Sequence, residues 1–257
     1  MIYKKIKRFG QHFLQNQEIL NFEASVANPK GKEVLEIGAG DGRLSEILLS
    51  LKPKKLILVE IDPRLCSILR KRFAKKRNVL IKQANILDLD IKKVDVIVGN
   101  IPYSITSKIL LKLTKIEFAY AILMIQKEVC NRIIAKPSTS EYGRLSVIIN
   151  AYFEISPLLE VSKENFYPKP KVDSTIIKIL KKPSPRLSNN FELVTAALFS
   201  HRLMNVKNAL YHSRKMLNLD KAEVKELAKK IKNDKKVFML DLDEIIEIAN
   251  QLKVLTK

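Results

Sequence analysis

Apolar residues arrive first in short unbroken runs. Between residue 33 and about residue 125, five runs alternate with amphipathic stretches: 33–37 (EVLEI), 56–60 (LILVE), 79–82 (VLIK), 94–98 (VDVIV) and 120–125 (YAILMI). Runs of this length, rich in Val, Ile and Leu, predict strands buried on both faces. Over 63–74, Leu65, Ile68, Leu69 and Phe73 recur at helical spacing behind Asp62-Pro63. An Asp N-cap followed by proline in the first turn is a helix start. The alternation predicts an α/β domain built on a mostly parallel sheet covered on both faces. Two later runs, 145–155 and 173–180, predict an antiparallel pair of strands closing one edge, with no helix between them. The stretch 181–190 (KKPSPRLSNN) has the proline, serine and charge of a linker. Beyond it the pattern is helical throughout, with Val224, Leu227, Ala228 and Ile231 in one stripe and Leu242, Ile245, Ile246 and Ala249 in another. The expected division is a sheet domain over 1–185, with 1–32 as an N-terminal extension packed onto it, and a small all-α domain over 186–257.

Charge changes the picture most. Forty-seven Lys and Arg against 27 Asp and Glu give a net charge of +20 in 257 residues. Such an excess favours a polyanionic partner, because neutralised phosphates release counterions and long-range attraction speeds encounter. A general lysine bias is the competing explanation, and nucleic acid is favoured over it. The basic residues are spread along the chain, so charge alone does not separate DNA from RNA. No apolar run reaches the ~18–20 residues that span a bilayer. The basic start MIYKKIKRFGQHF lacks the apolar core of a signal peptide, so a cytoplasmic, soluble protein is expected. Cys66 and Cys130 stand apart, and His12, His201 and His212 are dispersed, so no metal site is expected.

The first run leads into Glu36-Ile37-Gly38-Ala39-Gly40-Asp41-Gly42, and the second ends on Glu60, 22 residues after Gly38. In a doubly wound sheet, Gly38 and Gly40 let the backbone approach a ligand, and a strand-end carboxylate can accept from ribose hydroxyls. The same glycines also serve a plain strand–helix turn. The spacing is G-x-G-x-G with Arg43 after it, unsuited to a pyrophosphate, and no GxxxxGK[ST] occurs. A phosphate-free nucleoside cofactor such as S-adenosylmethionine fits better. The fourth run then passes into Gly99-Asn100-Ile101-Pro102-Tyr103. The Asn100 side-chain oxygen and the Ile101 carbonyl could both accept from one exocyclic amine, Pro102 fixes the chain, and Tyr103 offers a face for a base worth ~1–3 kcal/mol. Read alone, this stretch is equally a turn with a core tyrosine. After a glycine loop and a strand-end acid, a site is the stronger reading.

These residues resemble the small-subunit ribosomal RNA adenine dimethyltransferase (KsgA-like) family over nearly the whole chain. The resemblance rests on RFGQHFL (8–14), VLEIGAGDGRLSEILL (34–49), VEID (59–62), GNIPY (99–103), QKEV (126–129), EYGRLSV (141–147) and FYPKPKVDS (166–174). The tail segments SHRLMNVKNAL (200–210) and KVFMLDLDEI (236–245) resemble the archaeal branch most. It implies a class I S-adenosylmethionine-dependent methyltransferase, Rossmann-like with a seven-stranded sheet and a small helical C-terminal domain. It further implies transfer of two methyl groups to N6 of each of two adjacent adenosines in the 3′-terminal hairpin loop of small-subunit rRNA, with a part in subunit biogenesis and a monomeric state. By the same resemblance His12, Leu14, Gly38, Gly40, Glu60 and Asn100 hold the cofactor. Asn100, Ile101, Pro102 and Tyr103 form the transfer centre, and Tyr103 and Phe166 flank the target base. Lys7, Arg8 and Arg202 are RNA contacts, with Lys207, Arg214 and Lys215 further candidates. One position departs: Asn85 stands where the family carries an Asp that accepts from the cofactor's adenine, and an amide oxygen can still accept there without the charge. A large-subunit (Erm-type) adenine methyltransferase and a non-catalytic RNA-binding assembly factor remain as alternatives.

Overall fold

The computed structural model describes residues 11–183, 187–232 and 234–252. Lys7 and Arg8, and the expected domain boundary after residue 185, lie outside them. The chain divides into two compact units. One runs to Cys130 and adds Glu154–Lys181; the other comprises Asn131–Phe153 and the residues from Lys182 onward.

In the first unit the described residues open with strand β1 (Phe13–Leu14) and helix α1 (Gln17–Ala27), whose N-cap Asn16 accepts from the backbone of Glu18 and Ile19. Then β2 (Glu33–Ile37), α2 (Arg43–Ser50), β3 (Lys55–Glu60), α3 (Pro63–Arg72), β4 (Val79–Gln83), β5 (Val96–Asn100), α4 (Thr106–Leu113) and β6 (Tyr120–Gln126) follow. The five apolar runs are therefore strands, and α3 starts where Asp62 accepts from the Arg64 N–H with proline in its first turn. Most positions of β2, β3, β5 and β6 are buried, as parallel strands covered on both faces require.

The seven-stranded sheet has the order β4-β3-β2-β5-β6-β9-β7, where β7 is Phe153–Val161 and β9 is Ser174–Lys181. The pairs β3/β4, β2/β3, β2/β5 and β5/β6 are parallel, and β9 runs antiparallel to β6. A separate ribbon pairs β1 with β8 (Phe166–Tyr167), Phe13 opposite Tyr167 and Leu14 opposite Phe166. The order reverses between β2 and β5, so their carboxyl ends flank the crevice where open α/β sheets hold ligands.

One expected strand is wrong. Residues 145–155 are mostly helix α6 (Arg144–Tyr152), and the strand begins at Phe153. Val147, Ile148 and Ile149 are all buried. A helix enclosed on several sides shows the same unbroken apolar run as a buried strand, and periodicity does not separate the two. Its start is fixed by the Gly143 N–H donating to Ser146 Oγ at 3.0 Å.

Residues 131–153, expected in the sheet domain, belong to the second unit. There α6 packs with α7 (Phe191–Phe199) and α10 (Leu242–Gln251), and the Tyr142 hydroxyl donates to the Leu240 carbonyl at 2.9 Å. The remaining helices are α5 (Lys127–Ile134), which straddles the division, α8 (Val206–His212) and α9 (Lys221–Lys230). Asp220 and Asp241 cap α9 and α10 reciprocally with Glu223 and Glu244.

Candidate functional site

The sheet brings four strand ends together. Gly38 follows β2 with φ of 73°, and its N–H donates to the Val59 carbonyl at 2.9 Å. Glu60 closes β3 and is buried. Its Oε1 accepts from the N–H groups of Ile61 and Asp62, each at 2.9 Å, and its Oε2 accepts from Gly40 N–H at 2.9 Å. One lone pair of Oε2 is left for a ligand hydroxyl. Gly40, with φ of 59°, lies under Phe13, whose ring would stand 3.4 Å from any added Cβ. Arg43, at the rim of the same cleft, is held by partners of this chain: it pairs with Asp41 at 3.0 Å and donates to Gln15 Oε1 at 2.7 Å.

Gly99 on β5 is what lets Asn100 approach the glycine loop. A Cβ there would stand 2.3 Å from the Ile37 carbonyl oxygen and 3.1 Å from the Ile37 nitrogen. Both are backbone atoms of β2, so any side chain at this position pushes the two strands apart. Next along, the Ile101 N–H donates to the Met124 carbonyl at 3.0 Å, while the Ile101 carbonyl accepts from none of the described residues. Tyr103 is half-buried, its hydroxyl 2.7 Å from Ser174 Oγ and its ring stacked on His12 with centroids 5.6 Å apart.

The segment 11–15 straps over this region. Gln11 donates to Asp62 at 3.0 Å, His12 Nδ1 contacts the Pro168 carbonyl at 2.6 Å, and Gln15 N–H donates to the Asn165 carbonyl at 2.7 Å. A cleft results, with about 1120 Å³ of empty space counting its open mouth. It is lined by His12, Leu14, Gly38, Gly40, Glu60, Asn85, Asn100, Ile101, Pro102, Tyr103 and Phe166, so the expected first-unit positions meet in one place. Phe166 is itself 5% exposed and packs in the apolar core with Leu14. Asn85 also caps a short turn, its Oδ1 accepting from Leu87 N–H at 3.1 Å. That leaves the oxygen one lone pair for a second donor.

Arg202 belongs to the second unit, where its guanidinium donates to the Ser140 carbonyl at 3.0 Å and lies over the Phe238 ring. Among the described residues no cluster of three or more His, Cys, Asp or Glu could hold a metal ion, and no helix is long and apolar enough to cross a membrane.

Sequence reasoning missed two buried acids. Glu36 lines the cleft with an Oε2 that has no partner, and burial, with Glu60 and Asp41 nearby, pushes its carboxyl up to about 8. Glu23 on α1 is fully buried beneath Asn100, and burial followed by the nearby Glu36 holds its carboxyl well above the usual range. Glu36 sits two residues before Gly38, in a motif that its glycines mark as a loop, and nothing in the sequence marks Glu23 as interior. By contrast Asp62, hydrogen-bonded to Arg64, is held down at about 2.

The strand order, glycine loop, strand-end acid and cleft define a protein of the methyltransferase fold. The match to solved structures agrees. A dimethyladenosine transferase from Plasmodium falciparum superposes with a TM-score of 0.79 at 28% identity, covering 92% of this chain and 95% of that one. The 23S rRNA methyltransferase ErmE shares the fold, with a TM-score of 0.66 at 24% identity over 94% of this chain and all of the other. The chain belongs to the ribosomal RNA adenine dimethylase family, whose model matches residues 2–253. Among curated relatives, a probable ribosomal RNA small subunit methyltransferase A of Methanosarcina acetivorans is 36% identical over 95% of this chain and 92% of its own.

Proposed function

We propose that this protein dimethylates N6 of two adjacent adenosines in the 3′-terminal hairpin loop of small-subunit rRNA, using S-adenosylmethionine. It would act as a cytoplasmic monomer during small-subunit biogenesis. Family membership supports the reaction class, and the net charge of +20 supports an RNA partner. The observation that carries the reading is the convergence of Asn100, the unengaged Ile101 carbonyl and Tyr103 on the cleft edged by Gly38 and Glu60.

The cleft residues fit a nucleoside with a cationic amino-acid arm. Glu60 keeps a lone pair for a ribose hydroxyl, and Asn85 Oδ1 keeps one for an adenine amine. The orphaned, buried Glu36 Oε2 suits a cation. When bound, S-adenosylmethionine supplies a methyl group on a positively charged sulfur.

The rest is orientation by this chain. An adenine amine is a poor nucleophile because its lone pair is delocalised into the ring. Asn100 Oδ1 and the Ile101 carbonyl each accept one N–H, which favours a more tetrahedral nitrogen and aims its lone pair along the transfer line. Tyr103 carries the base, with Phe166 on the wall of the same cleft. No strong base is needed, because the proton leaves after the nitrogen has become positively charged. Bases in a loop are already accessible, so extruding them costs less than flipping from a duplex.

Asn100→Ala tests the reading. Loss of a preorganised acceptor predicts a fall in methyl transfer of roughly a hundredfold or more with RNA binding retained. An unchanged rate would show that transfer does not depend on Asn100, and the reading of this site would fail.

A further inference from the structure

Asn100 can assist transfer only if its oxygen, and not its NH2, faces the substrate amine, and an amide side chain can present either edge. What decides between them is the group on its other side. That group is Glu23, from the middle of α1, at 0% exposure. With the Asn100 NH2 turned inward, Nδ2 lies 3.0 Å from Glu23 Oε2 and 3.2 Å from Oε1, so it donates to a carboxylate. The opposite orientation sets the amide oxygen against those two oxygens, which is repulsive unless Glu23 carries a proton.

Resting on the methyl-transfer reading above, we propose that Glu23 is a positioning residue whose ionised carboxylate holds the Asn100 amide with its oxygen available to the target adenine. A protonated Glu23 would donate to that oxygen instead and present the NH2, a donor facing a donor, to the amine. The device is therefore a proton-dependent orientation switch behind the transfer centre.

The surroundings of Glu23 set where it titrates. Glu36 on β2 faces it and, after burial itself, is the larger influence on its carboxyl. From β5 comes Asn100. On β6, Tyr120 spends its hydroxyl on the Ala27 carbonyl at 3.0 Å, at the end of α1. On α2, Glu46 pairs with Arg72 and Arg43 with Asp41. No ion pair of Glu23 occurs among the described residues. Burial and the nearby Glu36 favour the protonated form, so the ionised form is reached by raising pH. Any cation placed against Glu36 would lower that threshold.

Two measurements test this. In the first, methyl transfer to unmethylated small subunits is followed against pH for the wild type and Glu23→Gln, an isosteric change that removes a buried charge. The wild type should show a rate rising with pH. In Glu23→Gln that rise should vanish and kcat at high pH should fall roughly tenfold, with cofactor affinity within about twofold. An unchanged kcat and pH profile, or a joint loss of cofactor binding and turnover, overturns the proposal. In the second, the Asn100 side-chain ¹H–¹⁵N signal, assigned by its disappearance in Asn100→Ala, is followed in wild-type protein without substrate. It should move with the same pH midpoint as the rate. A signal that does not respond to pH overturns the proposal independently of activity. If the wild type transfers no methyl at all while this signal titrates, the functional reading fails and the Glu23–Asn100 switch stands.

Discussion

Glu36→Gln offers a sharp test of the site's electrostatics. Glu36 lies on β2 at 2% exposure, its Oε2 without a partner. Burial first, then the charges of Glu60 and Asp41, raise its carboxyl from 4.5 to about 8. An acid with a folded pKa above its unfolded value binds its proton more tightly in the native state. Stability is then unaffected below the unfolded value, falls as pH rises between the two, and is level above the folded value. Raising the carboxyl from 4.5 to about 8 corresponds to at most ~5 kcal/mol, at ~1.36 kcal/mol for each pH unit. Glutamine keeps the shape and abolishes the titration. The chain has no tryptophan, so unfolding in urea is best followed by far-UV circular dichroism, without cofactor, from about pH 5 to about pH 8.5. The variant's advantage over the wild type should widen by roughly 1 kcal/mol per pH unit and level off near pH 8. A gap that stays constant with pH refutes the claim that this buried acid is held protonated by its surroundings.

Three further substitutions probe the geometry. Gly99→Ala puts a methyl 2.3 Å from the Ile37 carbonyl; it should cost ~1–3 kcal/mol in thermal or urea unfolding and lower methyl transfer about a hundredfold by displacing Asn100. Wild-type kinetics in that variant would mean the strands part without moving the site. Asn85→Asp should keep the cap on Leu87 and tighten cofactor binding roughly fivefold in calorimetry, because a charged acceptor makes a stronger hydrogen bond. Weaker binding would show that Asn85 does not face the adenine amine. Tyr103→Ala should weaken RNA binding by ~1–3 kcal/mol, the worth of one stacked base, in filter binding. Equal affinity would remove Tyr103 as the platform.

The parallel sheet is readable because its strands are short, mostly apolar runs punctuated by the glycine loop and the Asp62-Pro63 helix start. α6 is not, because Val147, Ile148 and Ile149 are buried as fully as any strand. The site residues on strand ends were legible from motifs: Gly38, Glu60, Asn100 and Tyr103 line one cleft. What supports them was not. Glu23 reads in sequence as a solvent-facing helix acid, and only the packing of α1 against β5 and β6 buries it beneath Asn100. Gly99 belongs to the GNIPY motif, yet its reason is a backbone approach to Ile37 that needs both strands in register. Arg202 is an RNA contact only by the resemblance; its guanidinium is engaged by carbonyls of its own unit. For Lys207, Arg214 and Lys215, the resemblance likewise supplies a candidate and no geometry; Arg214 lies over the Tyr211 ring.

The central claim is tested most directly by incubating the protein with isotope-labelled S-adenosylmethionine and unmethylated small ribosomal subunits, then mapping the label by mass spectrometry. The expected product is N6,N6-dimethyladenosine at two adjacent positions of the 3′-terminal hairpin loop. Label found only in large-subunit rRNA, or no transfer at all, would contradict it.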